Sequence, residues 1–147
     1  MISDANGVKM TEKGKENNQS TLVIVAAFNE EAGIGLTLAE VRMFLPNPLC
    51  LVVDGKSRDG TAKIAESMDA QVVVQKESGK GDAIAVAIEH AKLLDVRYVV
   101  FIDADYTYPA EYLPEMIRIL DENPDVGMVC GNRFNNHFPL KEMHNRF

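Results

Sequence analysis

Between residues 21 and 131 the chain alternates short apolar runs with stretches whose apolar residues recur every three or four positions. "TLVIVAAF" (21–28) and "LCLVVD" (49–54) are continuous and rich in β-branched residues, the pattern of strands buried on both faces. "AQVVVQ" (70–75), "RYVVFI" (97–102) and "VGMVCG" (126–131) predict three more strands. Between the first two, Asn29 is placed to cap a helix with Glu30 and Glu31 in its first turn. Its apolar face is Ile34, Leu38, Val41 and Leu45, and Pro46 and Pro48 end it. Ser57 is placed to cap a second helix carrying Ile64, Ala65 and Met68. "GKGDAIAVAIEHAKLL" (79–94) predicts a third, with Ile84, Ala87, Ile88 and Ala91 facing inward. Pro109 suits the first turn of a fourth, followed by Leu113, Met116, Ile117 and Leu120, with Pro114 delaying or bending its start.

Strands alternating with helices through short loops imply right-handed βαβ units. The expected class is therefore α/β, a mainly parallel sheet between two helical layers. No repeat or internal boundary interrupts residues 21–147, which are read as one domain after a polar, disordered tail at 1–20. The 147 residues, 46% hydrophobic and 25% charged, are enough for a real core. No apolar run approaches the roughly 18–20 residues that span a bilayer, and the N-terminus lacks the apolar centre of a signal peptide. The expected location is cytoplasmic. Acids and lysines cancel within the tail, so the net charge of −7 belongs to residues 21–147. Such a domain is a poor nucleic-acid binder, since phosphate recognition relies on Lys and Arg. Cys50 and Cys130 each sit in an apolar run without a metal-ligand spacing, and both are expected as buried thiols.

In an open parallel sheet, ligands bind beyond the carboxyl ends of the strands. Phe28-Asn29-Glu30-Glu31 follows the first strand and Asp54-Gly55-Lys56-Ser57 the second, while Ser78-Gly79-Lys80-Gly81 follows the third. Asp103-Ala104-Asp105 follows the fourth, and Gly131-Asn132-Arg133 the fifth. Asp103 and Asp105 stand two apart on an extended segment, so both side chains point to one side. Two carboxylates this close resist joint ionisation unless a cation joins them, and their hard oxygens suit Mg²⁺ or Mn²⁺. A bare Asp-x-Asp is equally compatible with one aspartate capping the next helix and the other facing water. "SGKGDA" can cradle a phosphate on helix-start amides, with Lys80 adding charge. It is not a P-loop, and the first βα turn has no glycine before Gly33, which excludes the dinucleotide fingerprint. A phospho-receiver domain is the rival from another class. It would want a lysine where this chain has Asn132-Arg133, and a lone acceptor aspartate instead of a pair.

Five stretches in order, "VIVAAFNEEAGI", "LVVDGKSRDGTAKIA", "SGKGDAI", "VVFIDADYTYPAEYLPEMI" and "GNRF", resemble the inverting glycosyltransferases of family 2. The nearest likeness is to polyprenyl-phosphate sugar synthases of the dolichol-phosphate mannose synthase type. The resemblance implies the GT-A fold, a Rossmann-like α/β/α sandwich, and transfer of a sugar from a GDP- or UDP-linked donor to a polyprenyl or dolichyl phosphate. It implies nucleotide contacts at Ala27, Phe28, Glu30, Asp54, Lys80, Asp103 and Ala104, and a divalent metal on Asp103 and Asp105. Asp103, Asp105 and Arg133 become the catalytic set. Departures are an alanine where a proline usually precedes Phe28, "VVDGKS" with Lys56 in place of a second carboxylate, and Thr107 where a glutamine can complete the metal shell. Family catalytic domains continue past the "GNR" segment. The likeness therefore implies the N-terminal part of a longer domain, with "LKEMHNRF" beginning an interfacial helix and membrane-surface association through later segments. Donor binding without transfer is the alternative function.

Overall fold

The computed structural model describes residues 21–77 and 79–132, so Arg133, the "LKEMHNRF" segment and the tail at 1–20 lie outside the described residues. Four strands form one parallel sheet: β1 (Thr21–Ala27), β2 (Leu49–Asp54), β3 (Gln71–Val74) and β4 (Tyr98–Asp103). Their order across the sheet is β3-β2-β1-β4. The helices are α1 (Ile34–Phe44), α2 (Thr61–Ser67), α3 (Lys80–Ala91) and α4 (Leu113–Glu122), with a single 3₁₀ turn at Ala110–Tyr112 before α4. Pro114 falls in the first turn of α4, where its missing N–H has no helical partner to lose.

The alternation of side chains along β1 builds two cores. Val23, Val25 and Ala27 pack with Ile34, Leu38 and Val41 of α1, Ala65 of α2 and Leu113 of α4. Leu22 and Ile24 point to the other face, where Leu51 and Val53 meet Ala83 and Ala87 of α3. The expected three layers are present, and β1 and β2 are buried on both faces as their continuous apolar runs predict. Strand β4 is different. Ile102 faces the first core at 8% exposure, whereas Val99 (42%) and Phe101 (51%) stand open on the α3 side. That helix covers β1 and β2 and leaves the β4 face uncovered among the described residues.

Several local expectations are corrected. Helix α1 begins after Gly33 and α2 after Gly60, neither with a side-chain cap. Asn29 and Ser57 are not caps: their polar groups bond to each other's loops. Helix α3 turns Ala83 and Ala87 inward and leaves Ile84 and Ile88 exposed, because each isoleucine lies one position, about 100°, round from an alanine that touches the sheet. Residues 126–131 form no strand and run irregular, with Cys130 exposed instead of buried. Among the described residues β4 is paired only with β1. With Gly127 and Gly131 in it, the run has a high entropic cost of extension and no ladder to offset it.

Candidate functional site

The strand order reverses between β1 and β4, because β1 leads outward to β2 on one side and the chain returns to its other side at β4. Such a switch point opens a crevice at the carboxyl edge of the sheet. A cleft of about 470 Å³ lies there. The end of β1 contributes Ala26, Ala27, Phe28 and Glu30, and the end of β4 contributes Asp103, Ala104 and Asp105. Gly55 and Gln75 form its far end, and Gly79, Lys80 and Ala83 bring in the start of α3. Of the residues singled out in the sequence, Ala27, Phe28, Glu30, Lys80, Asp103, Ala104 and Asp105 all line this one cleft. Asp54 is beside it, buried behind Gly55.

The aspartate pair is held by backbone and by neighbours. Gly33 packs so tightly that a Cβ there would stand 2.5 Å from the Ala104 carbonyl oxygen and 2.9 Å from the Asp105 backbone. The buried Thr37 hydroxyl donates to the same carbonyl at 3.2 Å. The amino end of α1 thus seats the turn after β4. Asp105 Oδ1 accepts from the Thr107 hydroxyl at 2.7 Å and from its N–H at 3.1 Å. Between them Tyr106 adopts φ 60°, a left-handed conformation that is costly for an aromatic residue and kept here at the cleft edge. Asp103 Oδ1 accepts from Lys80 Nζ at 2.6 Å. That hydrogen bond raises the Lys80 ammonium above its ordinary range. Burial, and then the carboxylates of Asp105, Asp59 and Asp103, raise Glu30 above the usual carboxylate value.

The polar residues of the first two loops mostly serve each other. Asn29 N–H donates to Ser57 Oγ, Asn29 Oδ1 accepts from Arg58 N–H, and Glu30 N–H donates to Thr61 Oγ1. Glu31 N–H reaches Asp59 Oδ2 while Glu31 Oε2 accepts from Gly60 N–H. The Thr61 hydroxyl, with amides of Thr61 and Glu31, holds the Asp59 carboxyl below its usual range. This stitching fixes Phe28, 61% exposed, over Gly55, whose missing Cβ would meet the phenyl ring at 3.2 Å.

Two features bear on what the cleft can take. Asp54 is 3% exposed and its Oδ2 accepts from Ser57 N–H, but its Oδ1 has no partner among the described residues. An unmet buried acceptor costs about 1–3 kcal/mol. Among the described residues no group of three or more His, Cys, Asp or Glu side chains is arranged to hold a metal alone. The pair Asp103 and Asp105 fits an ion that takes its other oxygens from phosphates and water, as Mg²⁺ commonly does. Thr107 does not extend that set, since its hydroxyl is committed to Asp105 and buried. Sequence reasoning passed over Gly33, Thr37 and Gln75. Only Gln75, a polar residue closing a strand, carried a signal that position alone could have raised.

The model of the family described as "Glycosyl transferase family 2" matches residues 22–146. A "Dolichyl-phosphate hexose transferase" from Haloferax volcanii is 38% identical over 112 residues, covering 76% of this chain and 46% of that protein. A "Polyprenol monophosphomannose synthase" from Mycolicibacterium smegmatis is 28% identical over 123 residues, covering 79% of this chain and 46% of its own length. The chain thus spans about half the length of these relatives. Among solved structures, glucosyl-3-phosphoglycerate synthase from Mycobacterium tuberculosis, in complex with Mn²⁺, UDP and glucosyl-3-phosphoglycerate, superposes with a TM-score of 0.58. The match is 24% identical and covers 69% of this chain and 39% of that one, a likeness of fold. The strand order is that of a Rossmann-type half-sheet and conflicts with a receiver domain, where β1 would lie between β2 and β3.

Proposed function

The chain belongs to glycosyltransferase family 2, and from that premise we propose that the cleft is the donor site of an inverting, metal-dependent hexosyltransferase. The donor is a GDP- or UDP-linked sugar, and the acceptor a polyprenyl or dolichyl phosphate. One observation carries the reading: Asp103, Asp105, Lys80 and Phe28 line a single cleft at the β1/β4 switch point. The span from β4 to β3 is three strand spacings, about 14 Å, which suits a diphosphate at the aspartates and a base near Gly55 and Gln75.

In this reading Asp105, supported by Asp103, would hold a Mg²⁺ or Mn²⁺ ion, which would supply positive charge to offset that developing on the leaving nucleoside diphosphate. The remaining work belongs to side chains of this chain. Phe28 offers an apolar face to the base, and Asp54, which the family's pattern assigns to the base, holds the loop beneath it through the Ser57 N–H. Thr107 keeps Asp105 in one orientation, so little reorganisation is needed as charge develops. Lys80 brings a fixed positive charge to an acidic cleft. Arg133 fills the same role in the family's pattern. The sugar carbon passes through an oxocarbenium-like state, and attack from the opposite face inverts it. A lipid phosphate oxygen is already ionised at neutral pH, so no strong base is required.

Titration calorimetry with GDP, UDP and their hexose conjugates, with Mn²⁺ or EDTA, tests the donor site. Metal-dependent binding that Asp105→Ala weakens about tenfold or more is the expected result; wild-type affinity in that variant refutes the site. A second reading is donor binding without transfer, since the described cleft accounts for a donor and shows no acceptor site among the described residues. Radiolabelled hexose transfer to dolichyl phosphate separates the two. Among the described residues no helix is long and apolar enough to cross a membrane.

A further inference from the structure

Gln75 closes β3 at the far end of the cleft. It is 6% exposed, while Lys76, Glu77, Gly79, Lys80 and Gly81 after it are exposed. Its Nε2 donates to the Glu77 carbonyl at 2.9 Å and to the Gly79 carbonyl at 3.5 Å. Both partners are pure acceptors, so the amide orientation is fixed by chemistry, because only the nitrogen side can serve them. The turn it grips is otherwise open. Gly79 has φ 97°, and a Cβ at Gly79 or Gly81 would meet nothing within 4 Å. Helix α3 has no side-chain cap at Gly79, and its first main-chain bond, Ala83 N–H to the Gly79 carbonyl, is 3.3 Å long. Immediately after Gly79 comes Lys80, whose Nζ crosses the cleft to Asp103.

We propose that Gln75 is a positioning residue: its buried carboxamide tethers the Gly79–Lys80 turn and so delivers the Lys80 charge to the donor's diphosphate. This rests on the donor-site reading above. Without the tether, two glycines next to Lys80 are free to explore many conformations, and the ammonium spends less time where an anion needs it. Gln75 does not touch the diphosphate in this scheme and acts only through Lys80.

The test is a double-mutant cycle on the full chain, with hydrogen–deuterium exchange as a ligand-free readout. Gln75→Met keeps the side-chain length and removes the amide; Gln75→Glu keeps the shape but cannot donate to a carbonyl. Each is expected to speed exchange across residues 75–83 and to weaken Mn²⁺-dependent GDP or UDP binding about tenfold, the scale of one lost buried hydrogen bond. In a Lys80→Met background the same substitutions are expected to change nucleotide affinity less than about twofold. A merely structural role would instead give losses that add. Additive losses, or unchanged exchange in both variants, overturn the inference and leave the donor site standing. Failure of the wild type to bind any nucleoside diphosphate overturns the donor-site reading and this inference with it.

Discussion

At the scale of single residues, the aspartate turn is shaped from behind by a glycine. The space that Gly33 leaves is occupied by main chain, the Ala104 carbonyl and the Asp105 backbone, which cannot swing aside as a flexible side chain would. Gly33→Ala is therefore expected to cost about 1–3 kcal/mol in urea unfolding and to weaken metal-dependent nucleotide binding as Asp105 shifts. Gly81→Ala is the contrasting case. It sits within α3 facing open space, so it should stabilise by about 0.5–1 kcal/mol. Equal effects at the two positions would refute the close approach. Glu30 gives a pH-dependent expectation. Its folded pKa is raised above the ordinary 4.5, so the fold binds its proton more readily than the unfolded chain does. The associated stability is present below 4.5 and lost as pH rises through the raised value. In EDTA, Glu30→Gln should melt above wild type at neutral pH, and the gap should close as pH falls below 4.5. A gap that widens toward acid would show that neither burial nor the carboxylates of Asp105, Asp59 and Asp103 raise Glu30.

At the scale of elements, legibility followed the range of the interactions involved. Strands β1 and β2 were readable because burial on both faces demands an unbroken apolar run, a constraint written locally. That the strand-end residues would meet in one cleft was readable, because topology places every carboxyl end on one edge. The caps were not, because Asn29 and Ser57 are excellent local cap residues that bond instead across loops 28 positions apart. Helix α3 was found with Ala87 and Ala91 rightly turned to the core, but Ile84 and Ile88 wrongly so. Bulk suggested Ile84 and Ile88, whereas close approach to the sheet selects Ala83 and Ala87. The run at 126–131 has strand-like composition, and composition does not supply a partner. Strand β4 carries the sharpest consequence. Neighbouring residues on it should respond oppositely, Ile102→Ala costing about 2–5 kcal/mol and Phe101→Thr under about 1 kcal/mol in denaturant unfolding. Phe101→Thr should also reduce binding of an apolar dye. Comparable losses at 101 and 102 would mean that both faces of β4 are covered.

At the scale of the whole molecule, the decisive quantity is charge. The protein carries −7 and gathers Glu30, Asp103 and Asp105 around a cleft in which Lys80 is the one cationic side chain among the lining residues. Even that charge is engaged with Asp103. A nucleoside diphosphate approaching without a cation meets net repulsion, and at separations of a few ångströms such terms reach about 1–4 kcal/mol. In the proposed donor site, a divalent ion held by these carboxylates would turn them attractive. Neutralising one of them should therefore act with opposite sign in the two conditions. With Mn²⁺ present, Asp105→Asn is expected to bind GDP or UDP about tenfold more weakly than wild type, because it removes a ligand. In EDTA the same variant should bind at least as well as wild type, because it removes a repelling charge while keeping the shape that Thr107 holds. Added salt should shrink the EDTA difference, since screening weakens interactions at an open cleft. A variant that binds worse by the same factor in both conditions would show that Asp105 acts on the nucleotide without the metal and that its charge does not repel it.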